Sequence, residues 1–227
     1  MEYTMKKLMG KSLAVAAVAL LTLSAGAARA DVVISEIAPW SSGNSPLEVD
    51  WFELTNTGTS AVDLSGWSWD DDSQNPGTAL LQGVSMIGAG QSVVFIDGGA
   101  TMPAAFIDLW FGGAAPAGFA IGYYDGPGLG KGGDEVNVYD ANNILQANVS
   151  FGASPTGPYA TFDNAAGLNG TVSQLSAVGV NGAFLAANDI AEIGSPGAVA
   201  AVPEPESYAM MLAGLGLIGA IARKRRG

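Results

Sequence analysis

Short apolar runs with a two-residue period, separated by turns rich in glycine and asparagine, restrict this chain to β-structure. "VVISEIA" (residues 32–38) is one such run. "VDWFELTN" (49–56) is another, with Phe52 and Leu54 on one face and Trp51 and Glu53 on the other. "DEVNVYD" (134–140) alternates cleanly, "ILQANVSF" (144–151) follows it after "ANN", and "SVVFID" (92–97) is shorter and more continuously apolar. The turns "NTGTS", "IGAGQ", "DGGA" and "DGPGLGKGG" supply residues that tolerate left-handed backbone or cap their own chain. This pattern predicts an all-β chain folded as an antiparallel β-sandwich. Residues 98–120 and 152–193 carry the weakest pattern and read as loops with short strands. No internal repeat stands out.

The chain has neither cysteine nor histidine. A Ser-His-Asp or Cys-His nucleophile system is therefore impossible, and so are zinc sites built on thiolate or imidazole. Oxygen ligands for a hard cation such as calcium remain. Charge is unevenly divided. Of nine basic residues, Lys131 alone lies between Asp31 and Ala201, whereas 18 of the 21 acidic residues lie there. That body carries a net charge near −17. It repels nucleic acid and anionic lipid, whose phosphates are held by clustered Lys and Arg, and it gathers cations. Its length is sufficient for a core without disulfides.

The basic residues sit at the two ends. Lys6, Lys7 and Lys11 precede the apolar run "LAVAAVALLTL" (13–23), and "SAGAARA" follows, ending in the small-x-small triplet Ala28-Arg29-Ala30. A basic region, a short apolar region and a small-residue exit predict a secretory signal peptide over 1–30, cut by signal peptidase between Ala30 and Asp31. At the other end, "SYAMMLAGLGLIGAIA" (207–222) is sixteen residues long. As a helix it would span about 24 Å, short of the roughly 30 Å hydrocarbon core. It predicts a transmembrane helix that crosses by thinning the bilayer or by snorkelling of its flanks. Gly214, Gly216 and Gly219 thin one side of it for close helix contact. Arg223, Lys224, Arg225 and Arg226 then stop translocation by the positive-inside rule. Pro203 and Pro205 break the chain before the helix and leave Glu204 in an extended segment.

Two parts of the chain resemble known families. "VISEIAP" (33–39), "DWFELTNTGTSAVDLSGWSWDDD" (50–72), "IGAGQSVVFI" (87–96), "GGDEVNVYDANNILQANVSFG" (132–152) and "GSPG" (194–197) are similar to the lamin tail domain. The resemblance implies an immunoglobulin-like sandwich over residues 31–198, a fold that carries no fixed activity. Within it "VDLSGW" (62–67) fits an inward Val62 and Leu64, a Ser-Gly turn and a Trp67 that plugs the core, with Asn56 and Gly58 shaping the preceding turn. "VPEP" (202–205), the apolar run and "RKRRG" resemble the PEP-CTERM sorting signal, with Pro203, Glu204 and Pro205 as its motif in the 199–206 linker. That resemblance implies an exosortase-type enzyme as partner. It also implies export across the inner membrane of a Gram-negative bacterium, transient anchoring through 207–227, and delivery to the cell surface or outside.

Candidate chemistry is sparse. Asp70, Asp71 and Asp72 in "WSWDDDSQN" (67–75) are candidate calcium ligands, with Asp50 or Asp125 as possible additions. The spacing is not that of an EF-hand loop, and calcium takes six to eight oxygens, so the competing reading is a solvated acidic turn. Trp67 and Trp69 share a strand face and offer either a sugar-stacking platform or core packing. "DGPGLGKGG" (125–133) lacks the first glycine and the hydroxyl residue of a phosphate loop and reads as a mobile hairpin tip. Glu53 and Asp50 are acidic but nothing marks them as a glycosidase pair. Loss of Ser35, Glu36 or Trp51 is expected to unfold a strand rather than abolish an activity. The sequence thus predicts a non-enzymatic exported protein without a resident cofactor. Its role would be structural or adhesive, with calcium bridging to extracellular polysaccharide or contact with matrix proteins as the route. The alternatives are a carbohydrate-active enzyme with a carboxylate pair in a cleft, and a glycan-binding module with an exposed Trp69.

Overall fold

Residues 32–40 and 47–198 are described by the computed structural model. The chain enters as β1 (Val32–Ala38) and β2 (Trp51–Asn56). It turns through β3 (Val62–Asp63), β4 (Ser68–Asp70), β5 (Ala79–Leu80) and β6 (Met86–Ile87) to reach β7 (Ser92–Asp97). A helix, α1 (Met102–Phe111), precedes β8 (Ile121–Tyr124), β9 (Asp134–Tyr139) and β10 (Leu145–Phe151). The short strands β11 (Tyr159–Ala160), β12 (Phe162–Asp163), β13 (Gly170–Val172), β14 (Phe184–Leu185) and β15 (Glu192–Gly194) complete it. The five alternating runs are β1, β2, β7, β9 and β10. The predicted signal peptide, the Pro-Glu-Pro motif, the apolar run and the basic cluster lie outside the described residues. Among the described residues no helix is long and apolar enough to cross a membrane.

Two five-stranded sheets face each other, one ordered β12, β1, β2, β7, β8 and the other β13, β10, β9, β4, β5. Between them Ile34, Phe52, Leu54 and Phe95 of the first sheet meet Trp69, Val136, Val138 and Val149 of the second. Rings interlock at the centre, with Phe52 and Trp69 centroids 5.3 Å apart and Trp69 and Tyr124 4.8 Å apart. The "VDLSGW" segment behaves as expected. Val62, Leu64 and Trp67 are buried in this core, Asp63 accepts from Ser65 N–H at 2.8 Å, and Gly66 takes φ +76°. Asn56 is buried and accepts the Gly58 N–H at 2.9 Å.

The first sheet is covered on its other face too, and β2 is buried at every position as a result. There Trp40, Trp51, Val94 and Ile96 form a second core beneath Phe106 and Trp110 of α1. The helix corrects the expectation of loops over 98–120. A proline in its first turn and a left-handed Gly112, whose N–H returns to Asp108 O, delimit ten residues that bury Phe106 and Trp110 one turn apart. So short a segment offers little periodicity, and the cause is tertiary: the apolar outer face of β2 and β7 needs a cover. The helix also carries the chain back across the sheet, so β8 pairs parallel to β7. Parallel pairing recurs between β10 and β13 and between β11 and β15, which makes the expected antiparallel sandwich a mixed one. A three-stranded sheet, β11, β15, β14, joins α1 on this outer side through the packing of Phe184 on Trp110.

Strand β1 contains a bulge. Ile34 pairs with Leu54, but the next partner of β2, Glu53, faces Glu36, leaving Ser35 as the extra residue. The bulge keeps Ile34 and Ile37 in the core although they stand three apart, and it turns Ser35 and Glu36 both to the outer face. Asn164 supports it by donating its N–H to Ser35 O at 2.8 Å and its amide to Ile34 O at 2.6 Å.

Gly122 of β8 tests this packing. A Cβ there would lie 2.3 Å from Gln82 O and 2.6 Å from the Phe95 ring. Gly122→Ala is predicted to cost about 1–3 kcal/mol in denaturant unfolding. Gly132→Ala, where a Cβ meets nothing within 4 Å, is predicted to stay within about 0.5 kcal/mol. Equal losses would contradict the placement of β8.

Candidate functional site

On the outer face of the first sheet, acids stand in register on three neighbouring strands. Glu36 of β1 faces Glu53 of β2 on one side and Asp163 of β12 on the other. Glu36 and Glu53 are each 1 % exposed. Lys131, the one basic residue in the described stretches, lies on an exposed loop. The row is roofed by the chain's closing segment, residues 192–197. Ser195 N–H donates to Glu36 Oε1 at 2.7 Å, and Gly197 N–H donates to Glu53 Oε2 at 2.5 Å. Gly194 is required beneath the roof, since a Cβ there would lie 2.8 Å from both Glu36 Oε1 and the Trp110 ring.

Hydroxyls supply the other partners. The Thr161 hydroxyl donates to Glu36 Oε1 and shares a hydrogen bond with Ser176 at 2.6 Å. The Ser35 hydroxyl, presented by the bulge, donates to Glu53 Oε1 at 2.7 Å. Thr55 donates to Ser35 at 2.8 Å and meets Ser92 at 2.6 Å. Glu36 Oε2 has no hydrogen-bond partner among the described residues. A charged carboxylate would keep half its charge there without donors, so the neutral acid is favoured. Burial pushes Glu36 up to about 7, opposed by the Thr161 and Ser195 hydrogen bonds and aided by Asp163. Burial pushes Glu53 up to about 8, with the neighbouring charge of Glu36 adding and the Gly197 N–H and Ser35 hydroxyl opposing. Two like charges on facing residues cannot both ionise cheaply, so the pair holds protons near neutrality.

This arrangement binds a chain segment rather than a solute. The acid pair is sealed, and a surface groove beside the roof, about 410 Å³ and lined by residues 90–92, 116–119 and 196–197, contains no carboxylate. Sequence reasoning missed the Glu36–Glu53 pair. One signal was available: Trp51 and Glu53 share a face, and a face bearing a large aromatic is seldom a solvated one.

The residues singled out from sequence fall elsewhere. Asp70 organises its own turn, accepting from the Ser73 hydroxyl and Asn75 N–H at 2.6 Å each. Asp71 accepts from Ser73 N–H at 2.9 Å. The Asp134 carboxylate is the main influence raising Asp72, with Asp71, Glu135 and Asp70 adding, so this exposed turn faces the start of β9. Among the described residues no three or more acids are arranged to hold a metal ion. Asp50 is buried and accepts the Leu129 N–H at 2.6 Å. That bond, with Gly130 N–H on Asp134 at 2.6 Å and Ser154 N–H on Lys131 O at 2.8 Å, pins residues 125–133. The segment crosses from one sheet to the other and is an anchored link instead of a mobile hairpin tip. Trp67 and Trp69 are core residues, 7 % and 0 % exposed. The chain's five tryptophans are all buried, so of the two readings of Trp67 and Trp69 core packing holds and the sugar-stacking platform does not.

A family model described as Lamin Tail Domain matches residues 25–153, and one described as PEP-CTERM protein-sorting motif matches residues 201–226. No curated protein matches the chain.

The acid pair predicts an unusual pH dependence. Both folded-state values lie above the unfolded carboxylate range, so the folded chain binds more protons from about pH 4.5 upward. The pair's contribution to stability is fully present below the unfolded value and is lost as pH rises through about 7 to 8. One retained pKa unit is worth about 1.4 kcal/mol, or about 3–5 °C in Tm for a domain of this size. Tm should therefore fall by at least about 3 °C between pH 5 and pH 8, and Glu53→Gln should flatten that decline. A parental Tm that is level or rising over this window would contradict the assignment.

Proposed function

The chain belongs to the lamin tail domain family, and from that premise we propose that it is an exported, non-catalytic surface protein whose sandwich is cargo for a C-terminal sorting signal. The observation that carries this reading is adjacency. The closing segment docks on the sandwich through Gly197, and the sorting-motif match begins at residue 201. Fold and signal therefore follow one another with no further module between them. In this reading an exosortase-type enzyme recognises Pro203, Glu204 and Pro205 while residues 207–222 hold the chain in the membrane and Arg223, Lys224, Arg225 and Arg226 stop transfer. Signal peptidase acts earlier, between Ala30 and Asp31. The sandwich is delivered to the cell surface or the surrounding matrix, where its role is structural or adhesive.

The rival reading, a carbohydrate-active enzyme, is favoured by one feature: a carboxylate pair with raised pKa. Its burial argues against it, because a substrate cannot reach groups sealed beneath residues 192–197. For the adhesive reading, the outer side of the Asp70, Asp71, Asp72 turn, carried by Asp71 and Asp72 because Asp70 is buried, is the surface on which calcium would bridge to an acidic polysaccharide that supplies the remaining oxygen ligands.

Intact mass of the surface-exposed protein tests the sorting step. The expected species begins at Asp31 and lacks Arg226; a surface species that retains Arg226 contradicts cleavage. Co-sedimentation with the host's extracellular polysaccharide tests the adhesive role. Binding in calcium that is lost on chelation, and weakened by replacing Asp71 and Asp72 with Asn, is expected. Absence of binding in both conditions would leave the sandwich without a glycan partner.

A further inference from the structure

The edge from which the chain leaves the sandwich joins an uncharged stretch to an exposed apolar turn. Residues 164–188 contain no charged side chain. Within them residues 177–183 form a tight turn, closed by Val180 N–H on Ala177 O at 2.9 Å, Ala183 N–H on Val180 O at 2.8 Å and Gly179 N–H on Ala183 O at 2.8 Å. Gly179 and Gly182 take positive φ, and Asn181 anchors the turn to the sandwich by donating to Asp163 Oδ2 at 2.8 Å. The turn is thus braced, yet it presents Val178 and Val180 outward, 57 % and 45 % exposed. It also touches the exit: a Cβ at Gly182 would lie 2.7 Å from Ala198 Cβ, the last residue described.

Position and charge identify what this turn meets. Eight residues separate Ala198 from Ser207, where the apolar run begins. Even fully extended, a connection of that length reaches no more than about 30 Å, so the exit edge is the part of the sandwich held nearest the membrane while 207–222 is inserted. Most of the remaining surface belongs to a strongly acidic body, which anionic headgroups repel. The 177–183 turn brings no charge to that boundary and offers two rigid branched apolar side chains. We propose that the 177–183 turn is a membrane-contact point, in which Val178 and Val180 enter the headgroup–acyl boundary and fix the edge of the sandwich that faces the bilayer. The inference rests on the reading above that residues 207–222 enter the membrane. Two valines form too small a surface to bind unaided; the tether supplies the local concentration. The contact orients the Pro-Glu-Pro segment toward a membrane-embedded enzyme and is released with the sandwich on cleavage.

The chain's lack of cysteine makes the test clean. Full-length Val178→Cys, Val180→Cys and, as a control on the β9–β10 turn of the opposite sheet, Asn142→Cys carry an environment-sensitive fluorophore. Each is taken forward only if its thermal unfolding matches the parent. They are reconstituted in phosphatidylcholine vesicles with and without nitroxide-labelled acyl chains, and insertion is scored separately by flotation. The proposal predicts flotation of all three chains, with several-fold stronger quenching at 178 and 180 than at 142. Flotation with equal quenching at the three positions overturns the contact while leaving the inserted anchor intact. Failure to float overturns the anchor reading and the proposal with it. Unquenched labels in vesicles that become shielded only in native membranes overturn the lipid contact in favour of a protein one.

Discussion

Buried like charge is the constraint on which the rest of this structure depends. Asp163, Glu36 and Glu53 stand in register on three adjacent strands, and neither glutamate has a basic partner among the described residues. Facing carboxylates destabilise a sheet unless something neutralises them, and here protons and hydroxyls do so. Thr161 and Ser35 supply hydroxyl donors, while Ser195 and Gly197 supply backbone N–H groups. Because the backbone donors come from the end of the domain, the acids and the closing segment depend on each other. Without the segment the glutamates would face water and ionise; without neutral glutamates the segment would lie against buried negative charge.

The same arrangement explains why the first sheet has two covers. Its outer face is divided: Val94 and Ile121 continue the row that begins with Asp163, Glu36 and Glu53. The apolar half is covered by α1 and the polar half by residues 192–197, and Gly194 lies where the two covers meet, against both Glu36 and Trp110. Residues beyond the matched span of 25–153 are integral to this fold. They provide β12 and β13 at the edges of the two main sheets, and Phe162 and Val172 in the central core. Ser195 and Gly197 dock on the sheet just ahead of the sorting-motif match, which begins at residue 201.

Much of the sandwich was legible in the sequence because its central strands alternate. Phe52 and Leu54 facing one way and Trp51 and Glu53 the other is both the pattern and the structure. The "VDLSGW" turn was legible for the same reason: each residue type has one place to go. The helix was not, because Phe106 and Trp110 declare an apolar face only once the sheet beneath them is known. Parallel strands were hidden likewise, since direction follows from the α1 crossover and leaves no mark on β8 itself. The acid pair was the largest omission. Glu36 and Glu53 lie seventeen positions apart, and their pairing depends on a one-residue bulge at Ser35 that broken alternation in "VVISEIA" only hints at. Conversely, Asp70, Asp71 and Asp72 attracted notice because they are consecutive, and the structure shows Asp70 and Asp71 capping their own turn.

Native-state hydrogen exchange of the Ser195 and Gly197 amides tests the interdependence of the acids and the closing segment most directly. If the segment is part of the domain's cooperative unit, both amides exchange only through global unfolding, with the same opening free energy as the β7 amides of Val94 and Phe95. Exchange at Ser195 and Gly197 that is orders of magnitude faster than at Val94 and Phe95 would show that the roof opens on its own. The buried acids would then not be what closes the fold.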